Sequence, residues 1–155
     1  MVKQSKQMTP AEARTAFYLD FEGGKDQPPV LMGYLRKEHV QQYVVDRTFE
    51  PAGPSYLDLR QAVKTVVTRA TKQDRRIVSW SEHDLELVRA LKDPALTRAF
   101  EGRYANGRAL AARWASRMHE IDKPPSGDQL EHYLELVGFE VPPHAGLGSV
   151  GATLR

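Results

Sequence analysis

The chain has 155 residues, the length of one domain able to bury its own core. Charged residues make up 27% and hydrophobic residues 41%, and the net charge is +2, an ordinary globular balance that is too mild to argue for a nucleic-acid partner by itself. There is no cysteine, which excludes disulfides, thiolate metal sites and a cysteine nucleophile. No apolar run approaches the length needed to cross a bilayer, and residues 1–14 lack the apolar core of a signal peptide. The expectation is a soluble, cytoplasmic protein with no membrane partner.

Residues 1–15 read as a leader or short helix, with Thr9 as N-cap and Pro10 at the first helical position. Residues 16–155 read as a single domain, without internal repeats or a dividing linker. Strands are expected over 16–21, 30–35 and 40–45, joined by turn-like segments at 25–29 and 36–38. Short links between consecutive strands imply an antiparallel meander.

The period then changes. Ser55 is a plausible N-cap with Asp58 as capping-box partner, and Leu59, Ala62, Val63, Val66, Val67 and Ala70 recur at helical spacing to about Lys72. Arg60, Lys64, Arg69 and Lys72 form the opposite, solvated face. Residues 76–81 read as a fourth strand, placed parallel to the first by a right-handed crossover. At Ser81-Glu82-His83-Asp84 the strand hands over to a helix with Leu85, Val88 and Leu91 as its stripe. Asp93-Pro94 interrupts it, and a further helical stretch runs to about Glu101. Residues 103–119 are also read as helical, with Leu110, Ala111, Trp114 and Met118 as the apolar face. After the breaker Pro124-Pro125-Ser126-Gly127, Ser126 is expected to cap a helix whose Leu130, Tyr133, Leu134 and Val137 face inward and which Gly138 ends. A last helix is expected to begin at 150–154.

The chemistry centres on Phe17-Tyr18-Leu19-Asp20-Phe21-Glu22-Gly23-Gly24. On a strand, residues two apart share a face, so Asp20 and Glu22 lie side by side while Leu19 and Phe21 enter the other face. Paired acids repel, and a divalent cation relieves the repulsion. Oxygen-only ligation suits Mg²⁺ or Mn²⁺. Gly23 and Gly24 allow a sharp turn or a close approach to a ligand.

Three strands, helix, strand, then helices, with Asp-x-Glu on the first strand and an acid opening the helix after the fourth, resembles the ribonuclease H-like fold. The expected class is α/β, a mixed central sheet with flanking helices. Within that fold the chain is similar to the DEDD-type 3′–5′ exonuclease branch, and more narrowly to ribonuclease H-like nucleases found beside helicase or RecB-type modules. Tyr18-Leu19-Asp20-Phe21-Glu22-Gly23 resembles the first motif, and Ile77-Val78-Ser79-Trp80-Ser81-Glu82-His83-Asp84-Leu85 the second. Residues 108–114 and 129–138 resemble the helical region of the narrower group. The resemblance implies a metal-dependent nuclease acting on DNA or RNA ends, with Asp20, Glu22 and Asp84 as metal ligands around Mg²⁺ or Mn²⁺. It also implies association with a helicase or larger nuclease.

The family's last motif brings a further aspartate, often after a His or Tyr base. Here residues 144–151 hold no carboxylate. His144 stands where the base would, and Glu140 or Glu131 are the acids available as substitutes. Gly23, Trp80 and His83 are candidate substrate contacts; the simpler readings are packing for Trp80 and helix initiation for His83. Asn106 and Arg103 are expected at the surface. Ser79 has no base partner, which argues against a Ser-His-Asp hydrolase. The alternative reading is a catalytically degenerate ribonuclease H-like module that binds nucleic acid or a protein partner.

Overall fold

The computed structural model describes residues 7–23, 27–48, 55–121, 124 and 129–140. Thr9 accepts a hydrogen bond from the Glu12 N–H while Glu12 reaches back to the Thr9 N–H, and this reciprocal cap starts α1 (Pro10–Thr15). Apolar residues alternating with polar ones then carry the chain into β1 (Phe17–Glu22), which sends Phe17 and Leu19 into the core and Tyr18 and Asp20 to the other face. β2 (Leu31–Arg36) pairs antiparallel with β1, and β3 (His39–Val44) antiparallel with β2.

The expected cap at Ser55 is not the one used. Tyr56 bridges to Val44 and the Leu57 N–H donates to the Val44 carbonyl at 3.0 Å. That extended tie to the end of β3 prevents a helix from starting at 55. Asp58 instead accepts from the Gln61 N–H and opens α2 (Leu59–Lys72). The expected stripe of Ala62, Val63, Val66, Val67 and Ala70 is buried, packed with Phe17, Leu19, Met32 and Tyr34.

β4 (Ile77–Ser79) returns parallel beside β1, in register Phe17↔Ile77 and Tyr18↔Val78. α3 (Glu82–Ala90) and α4 (Pro94–Glu101) complete the main core through Leu85, Val88, Leu96 and Phe100. The stretch from 103 is not helical at its start. Tyr104–Asn106 forms β5, parallel to β4, and only then does α5 (Gly107–His119) begin. The free edge of β4 supplies hydrogen bonds there, such as Ile77 N–H to the Arg103 carbonyl at 3.0 Å, which local helical preference cannot outweigh. Asn106 caps α5 by accepting from the Ala109 N–H at 2.9 Å.

The sheet order is β3-β2-β1-β4-β5. The architecture is α/β: a five-stranded mixed sheet flanked by helices. α2, α3 and α4 share the large core cluster, while Ala16, Val78 and Ala105 pack with Met8 and Leu110 in a smaller one. Tyr18, Leu35 and Val40 face one another across β1, β2 and β3 and remain 41%, 39% and 66% exposed.

Two helix faces depart from expectation. Met118 of α5 is exposed rather than packed. In α6 (Leu130–Glu135) only Tyr133 is fully buried, Leu134 is half-buried, and Leu130 and Val137 are exposed. Tyr133 docks edge-on against Trp80, ring centroids 5.5 Å apart, so one aromatic contact anchors α6 rather than a whole stripe. Gln129 is its N-cap; Ser126, His144 and the helix start expected at 150–154 lie outside the described residues. Among the described residues no helix is long and apolar enough to cross a membrane.

Candidate functional site

β1 and β4 run parallel, so their C-terminal ends emerge at the same end of the sheet. Ligand sites in α/β sheets collect at such ends, where neighbouring connections diverge. β1 delivers Asp20 and Glu22 there on its non-core face. Gly33 lies directly across from Asp20 on β2, so β2 places no side chain of its own at that position, and the Gln42 side chain packs beside it. The two acids line a cleft of about 1290 Å³ together with Tyr18, Ser79, Trp80, Leu110 and Trp114; Arg113 and Arg117 of α5 are also on its wall.

The cleft is a costly place for negative charge. The Asp20 carboxyl is pushed up to about 7, first by burial against the cleft floor, then by the charges of Glu22 and Asp84. A hydrogen bond with the Glu22 side chain adds to the rise, and the Phe21 N–H opposes it. Asp20 is nonetheless exposed, so solvent screens part of this penalty. Near neutral pH, then, Asp20 holds a proton in part, in contact with Glu22. A divalent cation placed there would take that proton's place.

Asp84 is the third residue of α3, after the N-cap Ser81. It is only 6% exposed, and burial raises its pKa. The Ser79 hydroxyl, the charge of His83 and the Ser81 N–H favour the ionised form, in that order. Asp84 therefore does what the Ser81 side chain does not: it satisfies a backbone donor at the start of α3.

The structure thus brings Asp20 and Glu22 into contact and sets Asp84 close enough for its charge to act on Asp20. Asp84 does not line the cleft wall. Among the described residues, no group of three or more histidine or acidic side chains is gathered closely enough to hold a metal ion. As a metal site the fit is therefore two adjacent hard oxygen donors, Asp20 and Glu22, with Asp84 set apart at the start of α3; Glu131 of α6, one of the expected substitute acids, also lines the cleft but is not gathered with them into a metal-holding group.

The other expected residues fall as follows. Gly23 has a packing reason to be glycine: a Cβ there would lie 2.9 Å from the Pro29 Cα and 3.1 Å from the Pro28 carbonyl oxygen. Trp80 lines the cleft, half-buried, against Tyr133. His83 is exposed and not on the cleft wall. Arg103 pairs with Asp74 at 3.1 Å. Asn106, expected at the surface, is 9% exposed because its side chain is spent on the α5 cap. The Ser79 hydroxyl is buried and donates to the Ser81 carbonyl at 3.1 Å, a structural bond rather than a nucleophile's.

Sequence reasoning overlooked Tyr104, whose hydroxyl donates to the Ser81 carbonyl at 2.9 Å, and Gly107. A Cβ on Gly107 would sit 3.0 Å from the Ser79 carbonyl oxygen, so glycine lets α5 begin hard against the end of β4. The signal was present in Tyr104-Ala105-Asn106-Gly107: a β-favouring aromatic, then an N-cap residue. Compared with known proteins, the chain matches no family model, no curated protein and no solved structure.

Proposed function

We propose that this protein is a ribonuclease H-like, metal-dependent nuclease domain that hydrolyses phosphodiester bonds of DNA or RNA from an end. The observation that carries the reading is the parallel pairing of β1 with β4, which puts Asp20, Glu22 and Asp84 at one end of the sheet, where the Asp20 carboxyl senses both other acids. The antiparallel meander beside it is the arrangement that the resemblance implies. In this reading Asp20 and Glu22 hold Mg²⁺ or Mn²⁺ at the cleft floor and Asp84 completes the charge around it. Bound cations supply an activated water and neutralise charge on the phosphate oxygens. Tyr18, Trp80 and Trp114 offer aromatic surface to nucleotide bases, and Arg113 and Arg117 offer positive charge to the phosphates. Gly23, explained by its packing, and His83, exposed and off the cleft wall, enter this reading only as weak substrate contacts, and His144 only as its base. The setting proposed is cytoplasmic, beside a helicase or larger nuclease.

The test is to incubate single-stranded oligonucleotides with Mg²⁺ or Mn²⁺ and either the wild type or Asp20→Ala. Cleavage by the wild type alone supports the proposal; equal activity in the two, or none in either, rejects it.

A second reading has its own observation. Asp84 is engaged at the start of α3, and no three-acid group stands ready among the described residues. This favours a ribonuclease H-like module that binds nucleic acid or a protein without turnover. A melting temperature unmoved by millimolar Mn²⁺ selects it, because a cation that binds the native state must stabilise it.

A further inference from the structure

Ser79, Asp84 and Asn106 are the buried polar side chains among the described residues, and all three lie where β4, α3 and β5 meet. Such groups persist in a core only when hydrogen-bonded. Asn106 is explained by the cap on α5. The other two belong to a cluster centred on the Ser81 carbonyl. That oxygen accepts from the Ser79 hydroxyl at 3.1 Å and from the Tyr104 hydroxyl at 2.9 Å, and the two hydroxyls are 3.3 Å apart. The Tyr104 ring is itself held, stacked on the fully buried Phe100 with centroids 5.6 Å apart and planes 25° apart. Two neighbouring strands thus grip one carbonyl, on the residue that opens α3. Asp84 lies in the first turn of that helix.

We propose that Ser79 and Tyr104 are positioning residues of the candidate site: their hydroxyls clamp the Ser81 carbonyl, fix where α3 begins, and so hold the Asp84 carboxylate within reach of Asp20's charge. The use made of that carboxylate rests on the nuclease-like reading; the clamp itself does not. Outer groups that orient a ligand typically alter metal affinity about 10- to 100-fold when removed. Tyr104→Phe keeps the stacked ring and removes one hydrogen bond, so it isolates the clamp from the packing. Ser79→Ala is the second variant; it also removes the hydroxyl's own bond to Asp84, so Tyr104→Phe is the one that decides the clamp.

The experiment measures Mn²⁺ affinity from the free-ion electron paramagnetic resonance signal, and metal-free melting temperature, for the wild type, Tyr104→Phe, Ser79→Ala, Asp84→Asn and the Tyr104→Phe/Asp84→Asn double variant. Tyr104→Phe and Ser79→Ala are each expected to weaken Mn²⁺ binding about tenfold. Adding Tyr104→Phe to Asp84→Asn is expected to change it less than about twofold, because the route through Asp84 is already gone. In the melting cycle the single shifts are expected to miss the double by about 2 °C or more. Unchanged Mn²⁺ affinity in Tyr104→Phe overturns the proposal, as does an equal effect of Tyr104→Phe with and without Asp84. A wild type that binds no Mn²⁺ rejects the metal reading alone. The melting cycle then decides the clamp, and additive shifts overturn it.

Discussion

Replacing Asp20 by asparagine is expected to make the protein more stable at pH 8, against the usual direction for a polar substitution. The folded state moves this carboxyl from 3.8 to about 7, through burial and the charges of Glu22 and Asp84. The sign follows from proton counts. Between the two values the native state holds a proton that the unfolded state has lost, so stability falls as pH rises from about 4 to about 7 and then levels off. The whole difference corresponds to a ceiling of ~4 kcal/mol. Because part of the side chain is open to solvent, screening reduces the recoverable part to about 1–2 kcal/mol. Asparagine has the same shape, no charge, and an amide that donates to Glu22. At roughly 2–4 °C per kcal/mol for a chain of this size, Asp20→Asn should melt about 2–8 °C higher at pH 8. At pH 4 the gain should vanish. Melting curves in chelator, from pH 4 to pH 8, read both the size and the trend. A variant that is less stable at pH 8, or whose gain is the same at both ends, refutes the claim that the cleft penalises charge on Asp20.

Asp58→Ala should lower the stability of the chain by about 1 kcal/mol through loss of the α2 cap, while Ser55→Ala should leave the melting temperature unchanged; equal effects would reinstate the cap at 55. Gly107→Ala should lower the melting temperature even though alanine is the better helix former, because the new Cβ meets the Ser79 carbonyl oxygen at 3.0 Å; overpacking of this kind costs about 1–3 kcal/mol. Phe100→Ala should cost about 3–5 kcal/mol in denaturant unfolding, since it leaves a cavity under α4 and removes the ring on which Tyr104 stacks.

The helical and strand periods were legible wherever one face of an element is buried. The α2 stripe from Ala62 to Ala70 and the inward Phe17 and Leu19 of β1 follow from spacing alone, because a buried face repeats with the geometry of its own element. Legibility fails where a neighbour supplies the deciding interaction. Tyr104-Ala105-Asn106 is a strand because β4 has an edge to pair with, and that edge is formed by residues 27 positions earlier. The α2 cap moves from 55 to 58 because Tyr56 and Leu57 are tied to Val44. Only Tyr133 of the expected α6 stripe is fully buried because Trp80 offers it a ring to meet.

For the site, Asp20 and Glu22 were set side by side by the two-residue period of a strand, a property of the backbone that needs no tertiary partner. The charge state of Asp20, the nearness of Asp84 and the hydroxyl clamp on Ser81 were decided only by folding. Those depend on which surfaces exclude water and which distant strands lie adjacent. The physical reason is that local geometry acts over a few bonds, whereas burial and Coulomb interaction act through space, between parts of the chain whose meeting no short stretch specifies.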